Sequence, residues 1–454
     1  MSAPVQDKCP QMILTSFTKA NGLPRPRSEM LSAPLSIDPS KPMCIGIDCP
    51  FSGGGKVGGV AHVSIGLARG LSSLEGKDKY IFLVKDDFVP LIKSHIGGQC
   101  ELVVLPELQK PTESYAKRLV RRVPFLRRSW RALRRNLPPP VPQSDGRVER
   151  LGVELVHFVS QFAFRTALPS IYHPHDLQHV HFPQYFTQEE LRWRTFSYKY
   201  FCDQAKLVAV TSSWTAQDVH RQLKVPLEKI SVVALAPPLL AYDSPSASLM
   251  DEIRLKTDDR CFIFYPAQTW PHKNHLNLIR ALRKLRDRGI CVPLVCSGYK
   301  NEYYRVVQAE VSRLGMADLV TFLGFVNDAE MQCLFNLCSF VVVPTKFEAE
   351  SLPIWEAFAT RRTVAASNVT SLPQQIGDGG LMFDPDDISQ MSECIERLWR
   401  DKEARNLFAQ RGFESVQYFT WERSARHFRA LYRRLLGRTL TVEDQNILSA
   451  PPQI

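Results

Sequence analysis

Ser339-Phe-Val-Val-Val343 runs directly into Pro344-Thr-Lys-Phe-Glu348-Ala-Glu-Ser-Leu-Pro-Ile-Trp-Glu356-Ala357. The first five residues are apolar and β-branched without alternation, the signature of a strand buried on both faces, as in a parallel sheet. Ser-Leu-Pro then opens a helical run, since proline suits a first helical turn. One glutamate stands in the loop and a second a turn or two into the helix. An ionised carboxylate accepts up to about four hydrogen bonds, so the pair suits a polyhydroxylated ligand, sugar hydroxyls on one and a ribose diol on the other. The helix N-terminus beside them favours phosphate. The ligand these features imply is a nucleotide sugar.

Working outward, the same alternation recurs. Strands are predicted at 261–265, 292–296, 319–323, 340–343 and 363–366, with helices at 275–288, 302–314, 328–337 and 352–360, and further helices from about 388. Upstream, strands are expected at 43–48, 80–84, 102–105, 153–159 and 207–211, with a helix-like run at 60–74. Alternating strand and helix signals make an α/β chain with mostly parallel sheets covered on both faces, and 454 residues exceed one ordinary core. Two doubly wound, Rossmann-like domains facing a central cleft follow. Pro237-Pro238 and Asp243-Ser-Pro-Ser-Ala-Ser248 mark the expected linker.

Hydrophobic content of 44% is that of a globular chain. No apolar run reaches the 18 or so residues of a spanning helix, and the N-terminus lacks a secretion-signal layout. The eleven cysteines form no Cys-x-x-Cys pair and several sit in apolar runs, which reads as reduced, structural thiols and a cytoplasmic setting. The net charge of +11 is concentrated in Lys117–Arg135, nine Lys or Arg without an acid, interleaved with Leu119, Val123, Phe125 and Trp130. A solvated surface helix broken at Pro124 and a basic amphipathic segment on an anionic membrane face both fit. No nucleic-acid module accompanies it, so nucleic acid is not expected as a partner.

Three further stretches carry chemistry. Gly53, Gly55 and Gly58 formally satisfy G-x-G-x-x-G, with Gly59 following, between a strand and a helix. Asp86 and Asp87 lie too far on for a dinucleotide fingerprint, so a nicotinamide enzyme is disfavoured; a glycine-rich loop facing the cleft and a plain tight turn both remain. His173-Pro-His175-Asp176-Leu-Gln-His179-Val-His181 offers four histidines but no convincing four-ligand metal set. His175-Asp176 at a strand end, pointing into the cleft against a sugar, fits better. In Tyr265-Pro-Ala-Gln-Thr-Trp-Pro-His-Lys273-Asn274, a strand gives way to a loop and Lys273 reaches the next helix N-terminus, where a cation would neutralise a diphosphate and Asn274 would start the helix.

Together these residues resemble glycosyltransferase family 4, retaining enzymes of the GT-B fold (group 1 type, mannosyltransferase-like). Glu348 and Glu356 match its two glutamates separated by seven residues, Lys273-Asn274 its Lys-Asn, and Leu323-Gly324-Phe325-Val326 a strand end. Ala366–Pro373, Gly377-Asp378-Gly-Gly and Phe383-Asp-Pro385 match later turns, and Val210-Thr211-Ser212 a turn in the first half. The resemblance spans most of 260–435 and is looser before it. It implies that Glu348, Lys273 and His175 act at the reacting sugar. Glu356 would hold the ribose, Gly324, Phe325 and Val326 border the base, and Ala349, Glu350, Ser351 and Leu352, with Gln268 and Asn274, complete the donor site. Gly55, Gly58, Gly59 and Asp176 would form the cleft loops.

The implied organisation is a poorly ordered tail (1–41), an acceptor-side domain (42–240), a linker (241–258) and a donor-binding domain (259–420). A helix returning to the first domain (421–437) and a tail (438–454) complete it. The implied activity is transfer of a hexose, with mannose from GDP-mannose a candidate, from a nucleotide diphosphate sugar to a glycan or lipid-linked acceptor in cell-surface polysaccharide synthesis. No metal or other cofactor is expected; Asp384-Pro-Asp386 spells Asp-x-Asp but falls beyond the donor loop. The expected place is the cytoplasm, on the inner membrane face if the basic segment binds lipid. The alternative is an inactive nucleotide-sugar-binding subunit of another transferase. Two departures stand out. The family often reads Glu-Gly-Phe-Gly-Leu-Pro where this chain has Glu348-Ala-Glu350-Ser-Leu-Pro, and Gln268 stands where an Arg is frequent, which leaves His272 as a possible second cation.

Overall fold

The computed structural model describes residues 38, 40–51, 59–105, 138–238 and 245–452. Gly55, Gly58, the basic segment Lys117–Arg135 and nearly all of the expected N-terminal tail lie outside them.

Two all-parallel sheets carry the chain. The first joins β1 (Cys44–Cys49), β2 (Lys79–Val84), β3 (Cys100–Val104), β4 (Leu155–Phe158), β5 (Ser170–Tyr172), β6 (Leu207–Val210) and β7 (Ile230–Val232) in the order β3-β2-β1-β4-β5-β6-β7. The second joins β8 (Ile263–Pro266), β9 (Leu294–Ser297), β10 (Val320–Gly324), β11 (Phe340–Val343), β12 (Val364–Ser367) and β13 (Gly380–Phe383) in the order β10-β9-β8-β11-β12-β13. In each, strand order reverses once, between β1 and β4 and between β8 and β11. Loops leaving the carboxyl ends on either side of such a reversal diverge and open a crevice. The loops after β8 and β11 contain Lys273 and Glu348, which is why residues 75 apart in sequence converge.

Both strands at the second crossover are buried throughout their apolar length: Ile263, Phe264 and all four residues of β11 are at most 1% exposed. That matches the continuous apolar runs in the sequence. Two strands that the sequence pattern does not mark, β7 and β13, are only three or four residues long and are sheet edges, and β5, the strand before His175-Asp176, has only three residues.

The linker expectation is corrected over its second half. Residues Ala247–Lys256 form a helix, because the Ser246 hydroxyl caps it by accepting from the Leu249 amide. Its Ile253 is fully buried in the second domain's core. Serines read as linker composition are in part a helix cap.

The helix Trp421–Leu435 does cross back: Ala425, Phe428, Leu431 and Tyr432 complete the core beneath β1, β2 and β4. At the seam Trp421 Nε1 donates to the Pro237 carbonyl (3.3 Å) and Ser424 Oγ to that of Ala234 (2.6 Å), so the two chain crossings lie side by side. The expected C-terminal tail is also partly ordered. Val442–Ser449 is a helix with a Thr441/Asp444 capping box, and Asp444 is tied to Arg433 at 2.8 Å. Arg433 in turn reaches Asp78 at 3.2 Å.

Candidate functional site

The domains face each other across a cleft of about 440 Å³. The first domain contributes Gly59, Val60, Val63, His175, Asp176 and Thr211; the second contributes Gln268, Trp270, His272, Lys273 and residues 348–350, 352 and 353. Among the described residues lining it, Lys273 is the single lysine or arginine. Gly59 of the first domain lies close against Leu352 of the second: a Cβ there would be 2.9 Å from Leu352 Cδ1.

Lys273 ends a single turn, Pro271–Lys273, just before the helix His275–Asp287. Its Nζ donates to Glu348 Oε1 at 2.6 Å, with side chains only 19% and 15% exposed. Such a partly buried, charge-assisted bond holds both groups in one geometry. A diphosphate arriving there meets a positioned cation at a helix N-terminus, the arrangement that favours anions.

Glu348 is held from behind. The Thr370 hydroxyl donates to its carbonyl, and the Ser371 hydroxyl to that of Ala349. Gln375 brackets Ser351, accepting from its amide at 2.9 Å and donating to its carbonyl at 2.7 Å. The Ser351 amide is therefore occupied, and the Ser351 hydroxyl is buried without a partner. Glu350 is fixed at one oxygen by Trp355 Nε1 (2.8 Å). Burial pushes its carboxyl up to about 7, against the lowering effect of the Trp355 hydrogen bond and of the nearby Thr211 hydroxyl, which forms no hydrogen bond to Oε2.

Glu356 sits on the helix Leu352–Ala359, half-buried. Burial, with the Asp328 charge adding to it, pushes its carboxyl up to about 8. Glu356 is not in the lining of the interdomain cavity itself.

His175 has a left-handed backbone (φ 60°) that turns its ring toward the cleft. Its Nε2 donates to the Val159 carbonyl at 2.9 Å. A carbonyl only accepts, so the proton is on Nε2 and Nδ1 is left with its lone pair. Burial pushes the ring's pKa down, so it offers an acceptor to a sugar hydroxyl. Behind it His173 packs at a tilt, ring centroids 5.5 Å apart, and bonds His157 at 2.7 Å, and His157 bonds the Tyr432 hydroxyl at 2.6 Å. The crossing helix thus touches the back of the cleft loop. The remaining histidines diverge: His179 is buried against Tyr198, and His181 bonds Asp218 at 2.9 Å. Among the described residues no cluster could hold a metal ion.

Other expectations are corrected. Asn274 does not reach the cleft: its left-handed backbone (φ 60°) precludes an ordinary cap, and its Nδ2 donates to the carbonyls of Pro344 (2.9 Å) and Pro385 (2.8 Å). It is a staple that joins the loops after β8, β11 and β13. Val326 is 8% exposed within the second core, so its side chain cannot border a base, whereas Phe325 is 54% exposed. Gly324, immediately before them, turns the chain at the end of β10 with φ +80°. Burial, with Lys273 beside it, pushes His272 down to about 2, which disfavours its charged form. Gln268 lines the cleft and accepts from Trp270 Nε1 at 2.8 Å.

Sequence reading misses an aromatic clasp. Phe347, immediately before Glu348, is packed by His181 (5.1 Å), Phe182 (5.8 Å) and Trp214 (5.8 Å) of the first domain. It also misses a second cavity of about 330 Å³ at the ends of β1, β2 and β3, lined by Asp48, Lys85, Leu105, Phe162 and Phe164. No helix of the described residues is long and apolar enough to cross a membrane.

Residues 57–235 match the sequence profile of "Glycosyltransferase Family 4" and 248–415 that of "Glycosyl transferases group 1". The chain is similar to O-antigen chain mannosyltransferase B of Escherichia coli, 28% identical over 253 residues that cover 55% of this chain and 66% of that protein. It is also similar to O-antigen chain mannosyltransferase RfbU of Salmonella typhimurium, 28% identical over 235 residues covering 52% and 62%. The chain thus spans less than two thirds of the length of these curated relatives. Among solved structures, sucrose-phosphate synthase of Thermosynechococcus elongatus superposes with TM-score 0.63 at 20% identity, covering 87% of this chain and 99% of that one. HepE of Anabaena, in complex with UDP and glucose, gives 0.62 at 19%, covering 86% and 100%. The two profile matches together cover most of the chain, and with the paired parallel sheets they show that it belongs to the group 1, family 4 glycosyltransferases of GT-B fold.

Proposed function

We propose that this chain is a retaining glycosyltransferase that moves a hexose from a nucleotide diphosphate sugar to a hydroxyl of a glycan or lipid-linked acceptor. The observation that carries the reading is the Lys273–Glu348 pair at 2.6 Å in a cleft shared by both domains. Lys273 holds the diphosphate and stabilises it as it leaves, which is electrostatic stabilisation of developing charge. Glu348 turns its carboxylate to the sugar, His175 Nδ1 accepts from a hydroxyl on the sugar's other side, and Glu356 takes the ribose diol.

In the step, the C1–oxygen bond to the β-phosphate breaks and the acceptor oxygen bonds to C1 on the face being vacated. The acceptor proton passes to the departing phosphate oxygen, and the nucleoside diphosphate leaves. This front-face course suits a site whose nearest carboxylate is already committed to a lysine. No metal is part of this reading, because Lys273 and the adjoining helix N-terminus supply the positive charge.

Mannose is the first donor to try, since the Escherichia coli and Salmonella relatives are named as mannosyltransferases of O-antigen chains. The cavity at the ends of β1–β3 is the place offered to the acceptor, and the basic segment Lys117–Arg135 a contact with an anionic membrane on the cytoplasmic side. Thermal stabilisation by a panel of GDP and UDP sugars, followed by transfer from the stabilising donor in EDTA, tests the assignment. Retention of the donor's anomeric configuration in the product tests the stereochemistry. Turnover that persists undiminished in Glu348→Ala would refute the site. An inactive binding subunit would be stabilised by a donor without hydrolysing or transferring it.

A further inference from the structure

We propose that Glu350 selects the donor sugar, its free carboxyl oxygen exchanging a hydrogen bond with one particular hydroxyl of the transferred hexose. The proposal rests on the reading of the cleft as a nucleotide-sugar site. Glu350 lies in the lining of that cleft beside Glu348, Lys273 and His175. Oε1 is fixed by Trp355 Nε1 at 2.8 Å, and Trp355 is 2% exposed, wedged against Phe419 at 4.6 Å. The backbone on either side is clamped as well, by Ser371 on Ala349 and by Gln375 on Ser351. The carboxyl group therefore has little freedom to turn.

Its second oxygen, Oε2, is buried and has no hydrogen-bond partner. A buried polar atom left unpaired costs about 1–3 kcal/mol, a cost that a substrate hydroxyl filling the cleft would remove. A hydroxyl both donates and accepts, so it satisfies the group in either protonation state. The sequence marks the same residue independently: a carboxylate stands inside a loop, two residues past Glu348, where the related pattern has an aromatic side chain. A site built to bond a hydroxyl rejects the analogue lacking it far more strongly than an apolar pocket rejects a missing methylene.

The test compares kcat/KM for whichever of GDP-mannose and UDP-glucose the wild type turns over with that of its monodeoxy analogues. One analogue is expected to be disfavoured by at least about tenfold in the wild type. In Glu350→Ala that one ratio collapses toward unity while the others hold, and Glu350→Gln, which keeps a hydrogen-bonding group, restores part of it. Unchanged affinity for free GDP or UDP shows that the variants are folded. Thr211→Val is expected to leave the deoxy profile as in wild type. A profile identical in wild type and both Glu350 variants overturns the proposal, and so does a Thr211→Val profile that reproduces that of Glu350→Ala, since the oxygen would then serve as a tether between domains. If the wild type turns over no nucleotide sugar, the parent reading falls first and this one with it.

Discussion

Phe347 of the second domain packs edge-on against Trp214 of the first, ring centroids 5.8 Å apart, and the next residue is Glu348. The side chain that contacts the opposite domain is thus one peptide from the carboxylate that would face the sugar. Phe347 sits among His181, Phe182 and Trp214, which ties the position of Glu348 to the approach of the first domain. Closure also excludes water, which would otherwise hydrolyse an activated sugar.

Phe347→Ala is therefore expected to damage transfer more than nucleotide binding. An aromatic pair contributes about 0.5–1.5 kcal/mol beyond its buried area, and three such contacts are lost here. Transfer should fall by about tenfold or more, the ratio of donor hydrolysis to transfer should rise, and GDP or UDP affinity should stay within about twofold. Parallel assays of free sugar and glycosylated product check this. An unchanged hydrolysis-to-transfer ratio would mean that the clasp is only surface packing.

The Lys273–Glu348 pair predicts opposite signs for binding and turnover. Glu348 occupies the lysine on which a diphosphate would lie. Glu348→Gln is expected to tighten free nucleoside diphosphate by up to about 1 kcal/mol, the size of a modest ion-pair effect, while turnover falls by about a hundredfold or more. Lys273→Ala is expected to weaken the same ligand and to lower kcat/KM by about a hundredfold, within the range for removal of one stabilising group from a transition state. Calorimetric titration of both variants and of the double variant measures the coupling. Additive effects would show that the pair does not act as a unit.

Much of this arrangement can be read from the sequence because it depends on short-range pattern. β11 and its helix announce themselves by an unbroken apolar run and a proline-opened turn, and Glu348, Lys273 and His175 each lie at a strand end. What escapes is what depends on the far side of the fold. Asn274 has the composition of a helix cap, but its left-handed backbone turns it into a staple between Pro344 and Pro385. Val326 looks like its neighbour Phe325, yet one is in the core and the other in solvent. The partners of Phe347 come from a segment more than 130 residues away, which no local periodicity signals. Ser246 shows how one residue type serves either a linker or a cap, and only the helix that follows decides.

Glu356 gives the site a pH dependence of definite sign. Burial, with the Asp328 charge adding to it, holds its carboxyl at about 8, above its ordinary value of 4.5. The folded state therefore binds the proton more tightly than the unfolded chain does, and this group's contribution to stability falls as pH rises from about 4.5 to 8. Ribose hydroxyls that donate to the carboxylate favour its ionised form. Nucleotide binding should then release a proton below about pH 8, and affinity should increase from pH 6 to 8 and level off above. Titrations in buffers of different ionisation enthalpy read the proton release directly. Glu356→Gln is expected to abolish it and to flatten the affinity profile; release of the same size in that variant would place the titrating group elsewhere.

The return of the C-terminal helix depends on two glycines of the first helix, Gly59–Ser72. A Cβ on Gly66 would sit 2.0 Å from the Trp421 ring, and one on Gly70 would sit 2.3 Å from the Trp421 carbonyl oxygen. Two effects oppose each other in Gly66→Ala. Helix propensity favours alanine over glycine by about 1 kcal/mol, whereas forcing a methyl group into a packed seam costs about 1–3 kcal/mol and displaces its neighbours. At 2.0 Å the overlap is with a rigid ring whose Nε1 is already bonded to Pro237, so sterics should win. Gly66→Ala is expected to lower stability by about 1–2 kcal/mol in chemical denaturation and to reduce turnover, because Trp421 lies where the chain crosses between domains. Relief of the clash by Trp421→Leu in the same chain should restore part of the stability lost to the alanine. A Gly66→Ala protein as stable as the wild type, or more so, would show that the crossing helix can shift away without cost.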